Sequence, residues 1–302
     1  MAGSYGYNVR WAMVAAGGTF NGSAKRFPVV RDTIGLDNEK LDGDGTTGTR
    51  SLYDVLTRDG VDRVAGQIEF NPTHNIFDTM LPYMLGGSEA SDTFPVADTL
   101  PDFDRLKDMS GEIVKHTGLK VSKSALTFGP GLLKLTLDCI GKAETASGLS
   151  WSSAALGTDD LDIPYAFQDC VISINSGTRK IRQGVLTVEN NCEAIYSSGS
   201  VTAEEIRSQG SRIVTLASTH PTSSTEWTQL YNGTSGSTAT ITMTCVGSLY
   251  TGITTITLRK LRAPKKCPVF ESKGEIFYVP VWQARHDGTN AEISITNVQG
   301  SS

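Results

Sequence analysis

The chain has 302 residues, a formal net charge of −5 and 20% charged residues. An acidic chain is poorly suited to displace counterions from phosphates, which argues against nonspecific nucleic-acid binding, and abundant Gly, Thr and Ser favour strands joined by turns over helical bundles. Such a length fits one large core or two of about 150 residues.

The first apolar run, Trp11 to Ala16, is too short for a secretory core or a membrane span, so we expect the protein in the cytoplasm where it is made and no membrane partner. KRFPVVRDTI (25–34) reads as a strand and leads into LDNEKLDGDGTTGTR, a polar, Gly-rich loop. Its Gly43-x-Gly45-x-x-Gly48 matches the dinucleotide fingerprint only formally. No helix pattern follows it, and Asp37, Glu39 and Asp42 would repel a phosphate. Asp42-x-Asp44 opens like a calcium loop, but Thr47 and Tyr53 stand where Gly and Glu are required. Neither a cofactor nor a metal is expected.

After Leu52 to Val64 comes GQIEFNPTHNIFDTMLPYMLGG (66–87). An alternating strand (Ile68, Phe70) passes through Asn71-Pro72 into a helix with core positions Ile76, Phe77, Leu81 and Leu85, closed by Gly86-Gly87. Pro82 should break or kink it. The unit recurs 146 positions on (220 minus 74) as RIVTLASTHPTSSTEWTQLYNG, which puts Trp227 and Tyr231 in the core of a second helix. We therefore expect two tandem domains, 1–150 and 151–302.

An acidic excursion follows Gly87. Then come GEIVKHTGLKVSKSALTF, broken by Gly118, the turn Gly129-Pro130-Gly131, and GLLKLTLDCIGKAET. Thr145 to Asp162 is the best linker. In the second half, DCVISINSG and KIRQGVLTVEN form an expected hairpin through Gly177-Thr178, and SSGSVTAEEIRSQGS stands where the Asp/Gly-rich loop stood before. TATITMTCVG resembles LLKLTLDCIG, with Cys245 for Cys139; a competing alignment uses EIFYVPVWQARH and AEISITNV, and the sequence leaves both open. Leu133, Leu135 and Leu137 alternate with Lys134, Thr136 and Asp138, so each such strand has one buried and one wet face. The fold class expected is mainly β: two sandwich or open-barrel domains, each flanked by a short α-helix.

Nothing selects an enzyme. There is no GxSxG elbow or HExxH, and the four histidines lack ligand spacing; His74 and His220, equivalent in the two copies, suit a conformational role at the helix start. The five cysteines are odd in number and widely spaced, as for reduced, buried thiols. Trp227, Tyr231, Trp282 and Tyr278 fit core packing better than a sugar-stacking platform.

GQIEFNPTHNIFDTMLPYMLGG, SALTFGPGLLKLTLDCIGKAE and DCVISINSGTRKIRQGVLTVENN together resemble the tail tube proteins of long-tailed bacteriophages. The resemblance implies a helix-flanked β-sandwich whose copies form rings stacked into a tube that conducts the genome. It also implies a virion tail location, and as partners the tape measure and tail terminator proteins, with DNA passing through unbound. A tandem chain would close a pseudo-sixfold ring from three copies, the alternative being a hexamer. By position, the loops 32–50 (Asp32, Asp37, Asp42, Asp44, Arg50) and 197–210 (Glu204, Glu205, Arg207) are the candidate inter-ring arms. The alternative function from another class is a β-sandwich adhesion module for a host-surface ligand such as carbohydrate.

Overall fold

The computed structural model describes residues 9–42, 57–146, 149, 151, 161–174, 177–221, 237–246, 251–263 and 277–300. The first half contains β1 (Val9–Ala15), β2 (Arg31–Asp32), β3 (Gly35–Asp42), β4 (Thr57–Phe70), α1 (His74–Leu85), β5 (Thr93–Phe94), β6 (Phe103–Met109), β7 (Glu112–Phe128), β8 (Lys134–Gly141) and β9 (Ala143–Thr145). The second contains β10 (Cys170–Ile174), β11 (Gly177–Thr178), β12 (Gln183–Glu189), β13 (Cys192–Ile195), β14 (Glu205–Ser208), β15 (Ile213–Pro221), β16 (Ser237–Val246), β17 (Thr251–Leu261), β18 (Phe277–Tyr278), β19 (Val281–Ala284) and β20 (Ile293–Gly300). The chain is mainly β, as its composition and alternation required.

A 12-stranded antiparallel sheet dominates, with the order β18-β15-β12-β7-β8-β4-β2 along its main path. Strands of the two halves meet in it edge to edge: β12 pairs with β7 from Gly184↔Phe128 to Glu189↔Lys123. Because side chains alternate and the register holds, one buried row, Phe70, Leu135, Leu126, Leu186, Leu216 and Trp282, crosses that seam. A 6-stranded sheet, β11-β10-β16-β17-β20-β5, is the second layer. Apolar side chains from both sheets and from α1 form one core cluster, with Ile68, Leu137, Val188 and Val214 beside Ile241, Ile256 and Ile295.

Helix α1 touches strands of both sheets. Thr73 caps it, its Oγ1 accepting from Ile76 N, and Gly86 ends it in the left-handed conformation at φ 93°. The expected core positions Ile76, Phe77, Leu81 and Leu85 are all buried. The break expected at Pro82 does not occur, since the helix runs unbroken to Leu85. The proline removes only the donor to Asp78, and that residue sits on the exposed face. The second helix, with Trp227 and Tyr231, falls outside the described residues.

Other expectations need correction. DCVISI and RQGVLTVE do not form a hairpin: β10 pairs with β11 over only two residue pairs, then the chain crosses to the large sheet. Gly118, at φ 61°, does not end a strand but bends the 17-residue β7, which serves β6 and β9 before it and β8 and β12 after it. The Cys245 strand, β16, lies in the 6-stranded sheet, so β19 beside β15, and not β16, holds the place that β8 holds beside β4. The apolar run at Trp11 is strand β1. Cys139, Cys170 and Cys192 are free thiols, and burial pushes Cys170 up to about 12.

Leu81 is fully buried at the centre of α1. Leu81→Ala should cost about 2–5 kcal/mol through a cavity the two rigid sheets cannot close. Denaturant unfolding followed by fluorescence measures it, and an unchanged midpoint would remove the helix from the core.

Candidate assembly surfaces

The wet face of the large sheet is as continuous as its buried one. One row reads Arg31, Glu69, Thr136, Ala125, Thr187, Thr215 and Gln283 across seven strands. Two ion pairs lie on this face: Lys123 Nζ is 2.7 Å from Glu189 Oε1, and Lys134 Nζ is 2.9 Å from Glu69 Oε1. The surface is therefore broad, shallow and short-chained. At one end stands β2; at the other, β19 meets on its far side the stretch Arg259–Arg262, with Arg262 N donating to Gln283 O at 2.9 Å. Valines lie exposed at both ends, Val30 at 51% and Val281 at 50%.

Two ribbons extend from this sheet. The first is β3 with the distal part of β4, paired from Gly35↔Ala65 to Asp42↔Thr57. The second is β13 with β14, paired from Cys192↔Ser208 to Ile195↔Glu205. They continue equivalent strand pairs, β2 with β4 and β12 with β15, as the repeat implied.

Buried ions fix the base of the first ribbon. Arg105, with no exposed surface, pairs with Asp32, and its Nη2 donates to Ile34 O at 3.2 Å and to His116 Nδ1 at 2.9 Å. His116 Nε2 lies 2.7 Å from Glu144 Oε2, off the line of a good hydrogen bond, while Glu144 Oε2 accepts from Leu36 N at 3.0 Å. Four strands are thus tied to the start of the ribbon. Desolvation lowers the His116 pKa to about 3, with the Arg105 and Lys107 charges adding to it. A neutral ring is also what the geometry needs, because Nδ1 must accept from a guanidinium. His220, stacked edge-on against Trp282 and joined to Ser218 Oγ at 2.8 Å, is lowered to about 4, again chiefly by burial.

A second buried chain ties the start of α1 to the second half. Tyr165 OH donates to Thr254 Oγ1 (2.9 Å), which donates to Asn297 Oδ1 (2.6 Å), which also accepts from His74 Nδ1 (2.9 Å); Asn297 Nδ2 returns to His74 O (3.1 Å). A third tie is Asn190, whose Nδ2 donates to Met84 O and Val121 O while its Oδ1 accepts from Arg212 Nε. His74 thus has the conformational place expected of it at a helix start. His220 lies on a strand.

Of the expected arm residues, Asp32 is spent in the Arg105 pair, Asp37 is exposed on the first ribbon, and Asp42 ends β3. Asp44 and Arg50 fall outside the described residues. On the second ribbon, Glu204 bonds Ser197 and Glu205 pairs with Arg207 at 2.7 Å. No spacing or motif marks the Arg105–His116–Glu144 cluster, whose members come from three strands. Among the described residues no group of His, Cys, Asp and Glu could hold a metal ion.

The family model for the phage tail tube protein matches residues 10–292. The chain belongs to that family. A search among curated proteins finds no match. As a tail tube protein it is a structural component of the virion tail.

Two outcomes test the buried polar groups of this tail tube protein. Arg105→Leu leaves the buried Asp32 carboxylate only Ile34 N at 3.0 Å and the more distant Lys107 Nζ at 4.0 Å, and should cost about 3–5 kcal/mol, whereas Arg105→Leu with Asp32→Leu should recover much of the loss; equal stability of wild type and single variant would show the pair to be idle. Acid should also weaken the fold. Below pH 6.5, the ordinary histidine value, the unfolded chain takes up protons at His116 and His220 that the native chain accepts only near pH 3 to 4, so stability falls as pH drops through that window. Denaturant titrations at pH 7 and pH 5 read the slope, and His116→Gln with His220→Gln should flatten it.

Proposed function

We propose that three copies of the chain close a pseudo-sixfold ring, each copy giving two sheet segments, and that rings stack into the tube through which the genome leaves the particle. The observation that carries this reading is the β7–β12 seam, where two halves already join edge to edge in one sheet. Exposed strand edges are a liability unless covered; β19 is already met by Arg259–Arg262, and closure of a ring would set a neighbour against the β2 end. Exposed Val30 and Val281 at the two ends would then be covered.

The wet face would line the bore. Threonines, alanine, glutamine and internally paired charges offer phosphates no cationic track, so DNA would slide past without displacing its counterions onto protein. The overall charge of −5 acts in the same direction. The β3–β4 ribbon, with Asp37, Leu36 and Leu41 exposed, would make contacts between neighbours. Tape measure and terminator proteins would meet the tube along its bore and at its end.

Negative-stain microscopy of the purified chain, alone and with other tail proteins, should show rings and tubes of one diameter, and averaged end views should show three chains as six lobes. Monomers under every condition would overturn the reading. In gel-shift assays at low salt the tubes should not retain DNA, and salt-dependent retention would contradict the assignment of the bore.

A further inference from the structure

The two equivalent ribbons stand in unequal surroundings. The second lies across the end of the first half: Ile206 and Cys192 are 0% and 8% exposed and cluster with Leu100 and Ile140. Its tip reaches β4, where Val201 O accepts from Asp62 N at 2.7 Å and Tyr196 OH donates to Asp62 O at 2.9 Å. The first ribbon has no such bed beneath its outer part, and Leu36 and Leu41 are 41% and 52% exposed. The Asn38 carboxamide oxygen there has no hydrogen-bond partner among the described residues.

The bed itself is also present twice. At the repeat spacing that carries His74 to His220, Asp62 falls on Ser208, and the registers of β4 with β8 and of β15 with β19 carry Leu137 to Ala284 and so Ile140 to Asp287, next to His286. Ser208 and His286 both line a polar groove of about 760 Å³, with Arg212, Gln283, Arg285 and Glu292 of the second half and Asp98 of the first around them. What the second ribbon covers in the first half is thus open in the second half.

We infer that this groove receives the β3–β4 ribbon of a second copy of the chain, so that each copy clasps its neighbour as its own second ribbon clasps its first half. The inference rests on the ring reading above and adds the surfaces that mate. The internal contact supplies the template. Asn38, paired with Asp62, holds the place of Cys192, paired with Ser208, and would come to lie beside the neighbour's groove. Asp37 and Glu39 on the ribbon are opposite in sign to Arg285, which is exposed at the groove. Apolar Leu36 and Leu41 would lose their contact with water, the main gain on docking. No chain can fill its own groove in this way, since its first ribbon starts from the far end of the sheet.

Site-directed crosslinking tests this. One preparation carries Asn38→Cys and another His286→Cys; they are mixed during assembly and oxidised. A band of twice the chain mass on a non-reducing gel, present only in the mixture, is the expected result. Rings or tubes without that band would overturn the clasp and leave the ring reading standing, whereas absence of rings and tubes altogether would overturn both. Should a cysteine variant not assemble, Leu41→Asp gives an independent measure: it should keep the wild-type melting temperature and lose sedimenting tubes. Tubes at wild-type yield from Leu41→Asp would also sink the clasp.

Discussion

One sheet, dry on one face and wet on the other, carries strands from both halves through the β7–β12 seam, and the rest of the molecule answers to that arrangement. A shift of one residue at the seam would turn Leu186 and Leu216 to water and Thr187 and Thr215 inward while Leu126 stayed buried, so the register is held by burial along the whole row. The helix and the 6-stranded sheet are needed because the dry face must be covered; both are drawn into the same core. The wet face is free to become a surface of the assembly.

Polar ties then fix what apolar packing leaves adjustable. The hydrophobic effect is non-directional and would permit α1 to slide along its sheets. His74, Asn297, Thr254 and Tyr165 form a directional chain at its start, and Asn190 takes the Met84 carbonyl near its end. Arg105 does the same for the first ribbon. A buried guanidinium is costly unless its donors are met, and here a carboxylate, a carbonyl and a neutral imidazole meet those of its two terminal nitrogens while Nε is left without a partner, so the ribbon is held at its base from several sides.

Within a chain of two similar halves, an interface between halves and an interface between copies can be built on one plan. The second ribbon is packed on the first half, and on the clasp proposed above the groove at Ser208 and His286 would take the corresponding ribbon of a neighbour. A heterologous contact of this type passes from copy to copy and ends only when a ring closes.

Much was legible in the letters. Alternation along Leu133 to Asp138 and along 183–189 marked strands, and Asn71-Pro72 and Gly86-Gly87 marked the two ends of the helix. These signals are local, set by side-chain period and turn chemistry within a few residues. By themselves, the residues determined a β-rich chain, one helix with its buried stripe, the absence of a catalytic motif and the resemblance to tail tubes. Only the tertiary structure decided which sheet each strand joins, that β10 and β12 part company, that β19 stands beside β15, and that Arg105, His116 and Glu144 meet. An amphipathic strand says which of its faces is dry but not which neighbour will cover it, and charges brought together from distant strands leave no spacing in the sequence to be read.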